Sequence, residues 1–494
     1  MMTGDFSMGW DQGPVMLYLY GTAARVAGVR LPAETDSRPW AANNRYNYGR
    51  EVFFRENDPE RIAFAARIVA LFVAGALGVA VAVFAWRRAG PLAALLSAGV
   101  FMFLPDLLAH AGIAYHDVPM ALFFFLGLWA VDEAVRNPTA LRATIGGAVA
   151  GIALGVKFSA LALGPAAAVI IVAEAVSRGR DREWGKRVAL LLPLALVAMW
   201  AVLVLLYRGD VTLSVLREGV ASQVAYSKSG NGVPAVLFAS ARGVCTPATP
   251  CETGVWYFFP VALMLKTPAA LHLLAAVAVL GIAGRRRWGR EVLRSPLRVL
   301  GIGVLVYLAI LMRARLNIGV RYALPLLPLL ALLVGIGLAR VWEAGARRVR
   351  FGIAVLLIGY VSSSLAYYPW FLTYLNEYIP NRRDAGYRVM VDSNLDWGQG
   401  LLALRDFMRE EGIDGVYLSY FGSALPEGYG IKYVPAPSWL RLPAQPPLPN
   451  APRWIVISAT TLSGNYLATD AFRPFRDRTP DRVIAQSMFA FRLE

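Results

Sequence analysis

The sequence predicts a polytopic α-helical membrane protein that carries a small α/β domain at its carboxyl end. Three observations carry that prediction. Hydrophobic residues make up 57% of the chain and charged residues 17%, a balance that suits repeated bilayer crossings better than soluble domains. The basic residues fall in short clusters between apolar runs, which is how membrane topology writes itself into a sequence. After residue 368 the apolar runs give way to β-rich segments separated by turn signals.

The amino terminus, "MMTGDFSMGWDQGPV", is polar and acidic without a basic n-region, so it does not read as a cleavable signal peptide. Residues 14–30, "PVMLYLYGTAARVAGVR", mix aromatics, small residues and two arginines and suit a helix lying in the interface. Crossing the hydrocarbon core takes roughly 20 apolar residues. The candidates are 62–85, 91–106, 118–135, 141–156, 159–177, 187–207, 257–283, 297–313, 322–339 and 351–368, about ten spans.

Basic residues mark alternate loops: Arg87 and Arg88; Arg136 and Arg142; "SRGRDREWGKR" (177–187); "GRRRWGREVLRSPLR" (284–298); and "RVWEAGARRVR" (340–350). The intervening loop 107–117 has no Lys or Arg and 208–256 has few. The positive-inside rule therefore puts the basic loops in the cytoplasm. It places 1–60, 107–117, 208–256, 314–321 and everything after 368 outside, so the amino terminus is expected on the outer face with no span before it. The domain reading follows: 1–60 a first extracytoplasmic loop, 61–368 the membrane domain, 369–494 the extracytoplasmic α/β domain. The net charge of +16, from 49 Lys and Arg against 33 Asp and Glu, is thus accounted for by topology, and no nucleic-acid partner is expected.

In the last segment "YRVMVDSN", "GVYLSYFG", "RWIVISATTL" and "VIAQSMFAFRL" read as strands, and "GQGLLALRDFMREEG" as an amphipathic helix completing a βαβ start. The proline-rich stretch 434–452 reads as a loop. Cys245 and Cys251, in "CTPATPCETG", are too few for a structural zinc site and read as a candidate disulfide on the oxidising side.

Topology gathers several polar groups at one membrane surface. His110, His116 and Asp117 precede the third span, Asp5 and Asp11 lie in the first loop, and Lys157 joins the fourth and fifth spans. Lys266 lies inside the apolar run "YFFPVALMLKTPAAL", and Arg313, Arg315 and Arg321 occupy "LMRARLNIGVRYALP". Arg313 and Arg315 also suit snorkelling to the interface, and Asp117 suits capping the helix that follows it. The two histidines read as structural or acceptor-facing rather than as metal ligands. A lysine near the bilayer centre costs roughly 2.5–3.5 kcal/mol even on lenient scales, so such residues tend to be functional. Acids beside fixed cations at a membrane surface suit a reaction on a phosphate-bearing lipid: the cations hold the phosphate and a carboxylate deprotonates an acceptor hydroxyl. Asp392, Asn394, Asp396 and Gln399 in "VDSNLDWGQ", read at a strand end, are candidates for binding acceptor or sugar; a turn and helix cap is the alternative.

These residues resemble a known family. "TGDFSMGWDQGPVMLYL", "HAGIAYHDVPMALFFFLGLWA", "GVKFSALALGP", "GVWYFFPVALMLKTP", "LNIGVRYALPLLPLLAL" and "YPWFLTYLNEYIPNRRDAGYRVMVDSNLDWGQGLLAL" are similar to segments of the polyprenyl-phosphate-dependent glycosyltransferases of the GT-C class. The branch is the one related to the protein O-mannosyltransferases, and the last segment resembles a bacterial subgroup. The resemblance implies a GT-C-like fold in the bacterial inner (plasma) membrane. It also implies inverting transfer of a mannose-like hexose from a polyprenyl-phosphate sugar to an extracytoplasmic protein, lipid or glycan. An acid of the first loop would act as base, and lysines and arginines would hold the lipid phosphate, in some members with a divalent metal (Mg or Mn). On that pattern Asp11, His116 and Asp117 are the catalytic candidates, Asp117 positioning acceptor or metal, and Lys157, Lys266, Arg315 and Arg321 hold the donor phosphate.

The chain departs from the pattern in places. Aligning "GDFSMGWDQGP" on the family's first loop puts the first membrane helix and the Asp-Glu pair carrying the principal catalytic acid upstream of Met1. Asp11 then falls on a second-rank acid, Gly13 on the first proline of an "HPP" element, and "DWGQG" lacks the usual acid after Gln399. The expectation is a later recorded start than the true one; an extended chain would have about eleven spans and a cytoplasmic terminus. Two other readings stay open: a catalytically inactive scaffold, and a lipid-linked glycan transporter, which would spread polar groups across the membrane depth in two matching halves.

Overall fold

The structure, a computed structural model, describes residues 12–33, 37–179, 181–230, 233, 235–238, 254–283, 295 and 297–494. Asp5, Asp11, Cys245 and Cys251 lie outside them, as does the expectation of a disulfide.

The chain is a multi-pass helical membrane protein with a small carboxyl-terminal sheet. Helices α1 (Pro14–Val26), α2 (Arg38–Ala41) and α3 (Arg45–Phe54) precede the long α4 (Pro59–Ala89). The side chain of Asp58 caps α4 by accepting from the Glu60 N–H at 2.9 Å, Pro59 opens it, and Arg87 and Arg88 close it before Gly90 at φ +89°, the usual stop and start chemistry. Then come α5 (Pro91–Met102), α6 (Pro105–Ala111), α7 (Asp117–Arg136), α8 (Ala140–Val156), α9 (Leu163–Arg178), α10 (Arg182–Leu206) and α11 (Ser214–Ser229). The remaining helices before the sheet are α12 (Phe258–Lys266), α13 (Ala269–Ala283), α14 (Arg298–Arg313), α15 (Leu326–Ala344) and α16 (Arg347–Leu365).

All ten apolar runs are helical. Six described helices are long and apolar enough to cross a bilayer, α9 counting together with the 3-10 turn before it. The α5–α6 pair bends by 69° and the α12–α13 pair by 106°; α8 and α14 are shorter, at 17 and 16 residues. The run 257–283, expected as one span, is therefore broken. Pro268 disfavours helix at Thr267, which is extended (φ −116°, ψ 140°). The break frees backbone groups, and two adjacent side chains take them up. Asn376 donates to the carbonyls of Met264 (2.6 Å) and Thr267 (3.0 Å), and Glu377 accepts from the Ala269 N–H at 3.0 Å.

Packing sorts the helices by depth. α15 buries nearly its whole length, while α10 turns Leu190, Leu196 and Leu205 outward, as a lipid-facing helix does. α8 approaches α10 so closely that a Cβ at Gly147 would collide with the Ala195 carbonyl oxygen. Only glycine fits there.

The carboxyl-terminal part holds α17 (Leu401–Glu410) and five strands, β1 (Val416–Ser419), β2 (Tyr433–Pro435), β3 (Trp454–Ser458), β4 (Arg482–Ile484) and β5 (Met488–Arg492), in the order β2-β1-β3-β5-β4. β1 pairs in parallel with β2 and β3, and β5 pairs antiparallel with β3 and β4. Leu401, Leu404, Phe407 and Met408 of α17 cover one face of this sheet. The expected strand "YRVMVDSN" is not a strand: Gly386–Arg388 and Asp392–Asn394 are 3-10 turns. Tyr387, Val391 and Leu395 instead pack on the sheet's other face with Ile455, Ile457, Phe489 and Phe491. The run is apolar because it is a lid over the sheet. There is accordingly no βαβ start, and the "VDSN" residues do not lie at a strand's carboxyl end.

Candidate active site

Five stretches far apart in sequence meet at one end of the helix bundle. Asp117 opens α7 and is buried. Lys157 follows α8 in an extended residue (φ −157°, ψ 138°) that turns its side chain back on the bundle. Its Nζ donates to Asp117 Oδ1 at 2.5 Å. Arg321, in the 3-10 turn Val320–Ala323, sets Nη1 3.5 Å from Asp117 Oδ2. Two buried cations thus share one carboxylate, leaving positive charge in excess where water is scarce. Such a place attracts an anion.

Aromatic rings wall the cations. The Arg321 guanidinium lies over Trp397 (4.7 Å), Tyr322 (5.0 Å) and Tyr115 (5.3 Å), and Lys157 Nζ lies 4.6 Å from the Tyr322 ring. These contacts hold the cations in place without cancelling their charge. His116 is buried next to Asp117, with its ring edge-on to Tyr115 at 5.2 Å.

Lys266 forms a second, adjoining cluster. It ends α12 at the break, fully buried, with Nζ donating to the carbonyls of Leu372 and Asn394 at 2.7 Å each and lying 3.4 Å from Asp106 Oδ1. It is therefore tied to the segment that enters the carboxyl-terminal part, where a straight helix over 257–283 would have left it in the middle of a span. His110 Nδ1 is 2.7 Å from the Asp106 carbonyl oxygen; a carbonyl only accepts, so Nδ1 carries the proton. The His110 ring stands 6.1 Å from Trp397.

Of the donor-phosphate candidates, Lys157 and Arg321 converge on Asp117, and Lys266 lies in the adjoining cluster with Asp106. Arg313 and Arg315 are exposed, the backbone N–H of Arg315 donates to the Ser227 carbonyl at 2.9 Å, and neither joins the cluster. The four "VDSNLDWGQ" candidates are spent largely on local structure. Asn394 Oδ1 accepts from the Val320 N–H (2.8 Å) and Nδ2 donates to the Val391 carbonyl (3.0 Å). Gln399 bonds the backbone of Leu395 (2.9 Å) and Trp397 (2.7 Å). Asp396 accepts from the N–H groups of Gly398 (3.2 Å) and Thr460 (3.4 Å), and burial pushes its carboxyl up to about 7. Asp392 accepts from the Tyr466 hydroxyl and the Ser393 N–H.

Sequence reasoning missed Asp106, Trp397, Tyr115 and Tyr322. An acid behind Pro105 at the end of an apolar run is a signal for the first; the aromatics carry none, since only the fold brings them to Arg321. Among the described residues no three His, Cys, Asp or Glu side chains gather as metal ligands. The carboxylates of Asp106 and Asp117 face ammonium and guanidinium groups instead. Among the described residues that donor set does not fit a divalent ion.

An apolar cavity of about 330 Å³ lies between α7, α8, α9 and α10, lined among others by Gly146, Gly147, Leu154, Ala160, Leu161 and Ile171. Leu154 and Ala160 put one end of it three residues to either side of Lys157.

No family model matches the chain, and no curated protein matches it. Solved structures similar to it include two crystal structures of ArnT from Cupriavidus metallidurans. The apo structure has 14% sequence identity and a TM-score of 0.47, covering 77% of this chain and 58% of that one. The structure bound to undecaprenyl phosphate has 14% identity and a TM-score of 0.48, covering 97% of this chain and 87% of that one. The chain thus spans little more than half the length of the first of these.

Proposed function

We propose that the chain is an integral-membrane glycosyltransferase of the GT-C class that moves a hexose from a polyprenyl-phosphate sugar to an acceptor hydroxyl on the extracytoplasmic side. The observation that carries this reading is Asp117 held between Lys157 and Arg321, next to an apolar cavity. A phosphate bearing an isoprenoid chain needs both: fixed cations for its head and an apolar slot for its tail.

In this reading Lys157 and Arg321 bind the lipid phosphate, and Asp117 keeps the two cations poised when the site is empty. The acceptor oxygen attacks the anomeric carbon from the face opposite the phosphate, forming the new C–O bond. The bond between that carbon and the phosphate oxygen breaks, its electron pair leaves with the lipid phosphate, and the anomeric centre inverts. Lys157 and Arg321 favour this step because charge grows on the departing oxygen beside donors already in place. The acceptor's proton passes to a carboxylate of the first loop, for which Asp11, on the family's second-rank acid, is the candidate in this chain.

Sugar transfer from undecaprenyl-phosphate hexose, measured with the chain in lipid nanodiscs, tests the reading. Arg321→Gln should lower kcat about 10²–10³-fold, the usual cost of losing one preorganised charge donor. Asp117→Asn should abolish transfer while leaving membrane insertion intact. Wild-type rates in both variants would return these residues to structural roles.

A further inference from the structure

Beyond the cations a group of aromatic rings from distant parts of the chain packs together, and one of them, Tyr466, touches Asp392. Phe421 packs on Trp439 (centroids 5.1 Å) and on Tyr466 (5.3 Å), and Tyr46 of α3 meets Trp439 edge-on at 5.5 Å. Phe421 is buried, whereas Trp439 and Tyr466 are partly open and Tyr46 is 38% exposed. The rings therefore form a backed wall with one accessible side. Trp439 also lines an open hollow of about 450 Å³ with Ser438 and Arg441, a volume in the range of small-ligand sites.

The wall is polar at its foot. The Tyr466 hydroxyl donates to Asp392, and both residues hold left-handed backbone, at φ +64° and +60°. For a tyrosine that is an unusual conformation, of the kind that clusters at functional sites. The residues after Asp392 reach the turn that carries Arg321: the Ser393 hydroxyl donates to the Ile318 carbonyl at 3.1 Å, and Asn394 Oδ1 accepts from the Val320 N–H at 2.8 Å. The wall and the cation cluster are therefore neighbours.

We propose that this wall is the acceptor subsite and that the acceptor is a carbohydrate, docked by the C–H face of a sugar ring on Trp439, with Tyr46 standing edge-on beside it and ring hydroxyls reaching Arg441. The assignment rests on the glycosyltransferase reading above. Its chemistry is specific: a pyranose has apolar C–H faces and a rim of hydroxyls, which matches a flat aromatic ring bordered by a guanidinium. A peptide that bound by adding a β-strand would need a free strand edge. The sheet's edges are β2 and β4, three residues each, and β2 ends in Pro435.

Maltotriose and chitotriose titrated into the nanodisc-embedded chain, followed by tryptophan fluorescence and calorimetry, test the proposal. At least one should bind saturably. Trp439→Ala should weaken that binding at least tenfold, and Trp439→Phe should restore most of it; circular dichroism and the thermal midpoint report whether either variant is folded. No saturable binding of either saccharide overturns the proposal, as does binding indifferent to Trp439→Ala in a folded variant. Saturable binding of a Ser/Thr-rich peptide with none of the saccharides also overturns it. Undecaprenyl phosphate binding by the unaltered chain separates the two readings. If the lipid binds and the saccharides do not, the acceptor assignment alone falls; if the saccharides bind and the lipid does not, the transferase reading falls.

Discussion

Asp117 and Asp396 are both buried carboxylates, and their surroundings give them opposite characters. Asp117 faces two cations. Asp396 has hydrogen bonds from Gly398 and Thr460 but no cation, so burial dominates and its carboxyl rises from 3.8 to about 7. The sign of the consequence follows from linkage. Below pH 4 the group is protonated whether the chain is folded or not, and it contributes nothing to pH dependence. Between about pH 4 and 7 the unfolded chain gives up this proton first, so stability falls as pH rises; above pH 7 the loss is complete and constant. Asp396→Asn has no proton to lose. The variant's thermal midpoint relative to the unaltered chain should therefore climb from pH 4 to 7 and then level off. A difference that is flat across this range would show that Asp396 does not titrate there.

At the scale of elements, the break between α12 and α13 organises the site, and it was only partly legible in the sequence. The apolar run over 257–283 was plain, and so was the oddity of Lys266; Pro268 was the signal that the run is two helices. What could not be read is the partner set. Asn376 and Glu377, quoted above within a family-like motif, cap the two sides of the break, and Lys266 is neutralised by Asp106 from α6, 160 residues earlier in the chain. Helical periodicity reports which residues are apolar, and pairings across such distances are fixed only by packing. The segment 387–394 failed for the same reason, since a lid on a sheet and a strand within it are equally apolar. Lys266→Met should leave Asp106 buried without its cation and cost about 3–5 kcal/mol, whereas Lys266→Met with Asp106→Asn should recover much of that. Unfolding by SDS titration measures both. Equal losses in the single and double variants would mean that Lys266 acts through the Leu372 and Asn394 carbonyls alone.

For the whole molecule, charge alone foretold which groups would share an end. Asp117, Lys157 and Arg321 meet there, as expected from loops that alternate with the basic ones. The basic loops meet at a network of their own, in which Asp132 pairs with Arg88, Arg136 and Arg298, and Glu174 with Arg178 and Arg298. Several arginines counted for topology are thus neutralised in the fold. The positive-inside bias is nevertheless set by Lys and Arg, with Asp and Glu contributing little, so these pairings do not change the orientation expected from it. It puts α10's first residue, Arg182, in the cytoplasm and Lys432, beside β2, outside; both are exposed. In a chain with Cys245 and Cys251 replaced by serine, Lys432→Cys should react with a membrane-impermeant maleimide added to intact cells. Arg182→Cys should react only after the membrane is opened. Labelling of both from one side would break the alternation of loops, and the reverse pattern would put the site in the cytoplasm. A donor sugar and acceptor met at that face would then have to be cytoplasmic, and the proposed reaction would lose its extracytoplasmic setting.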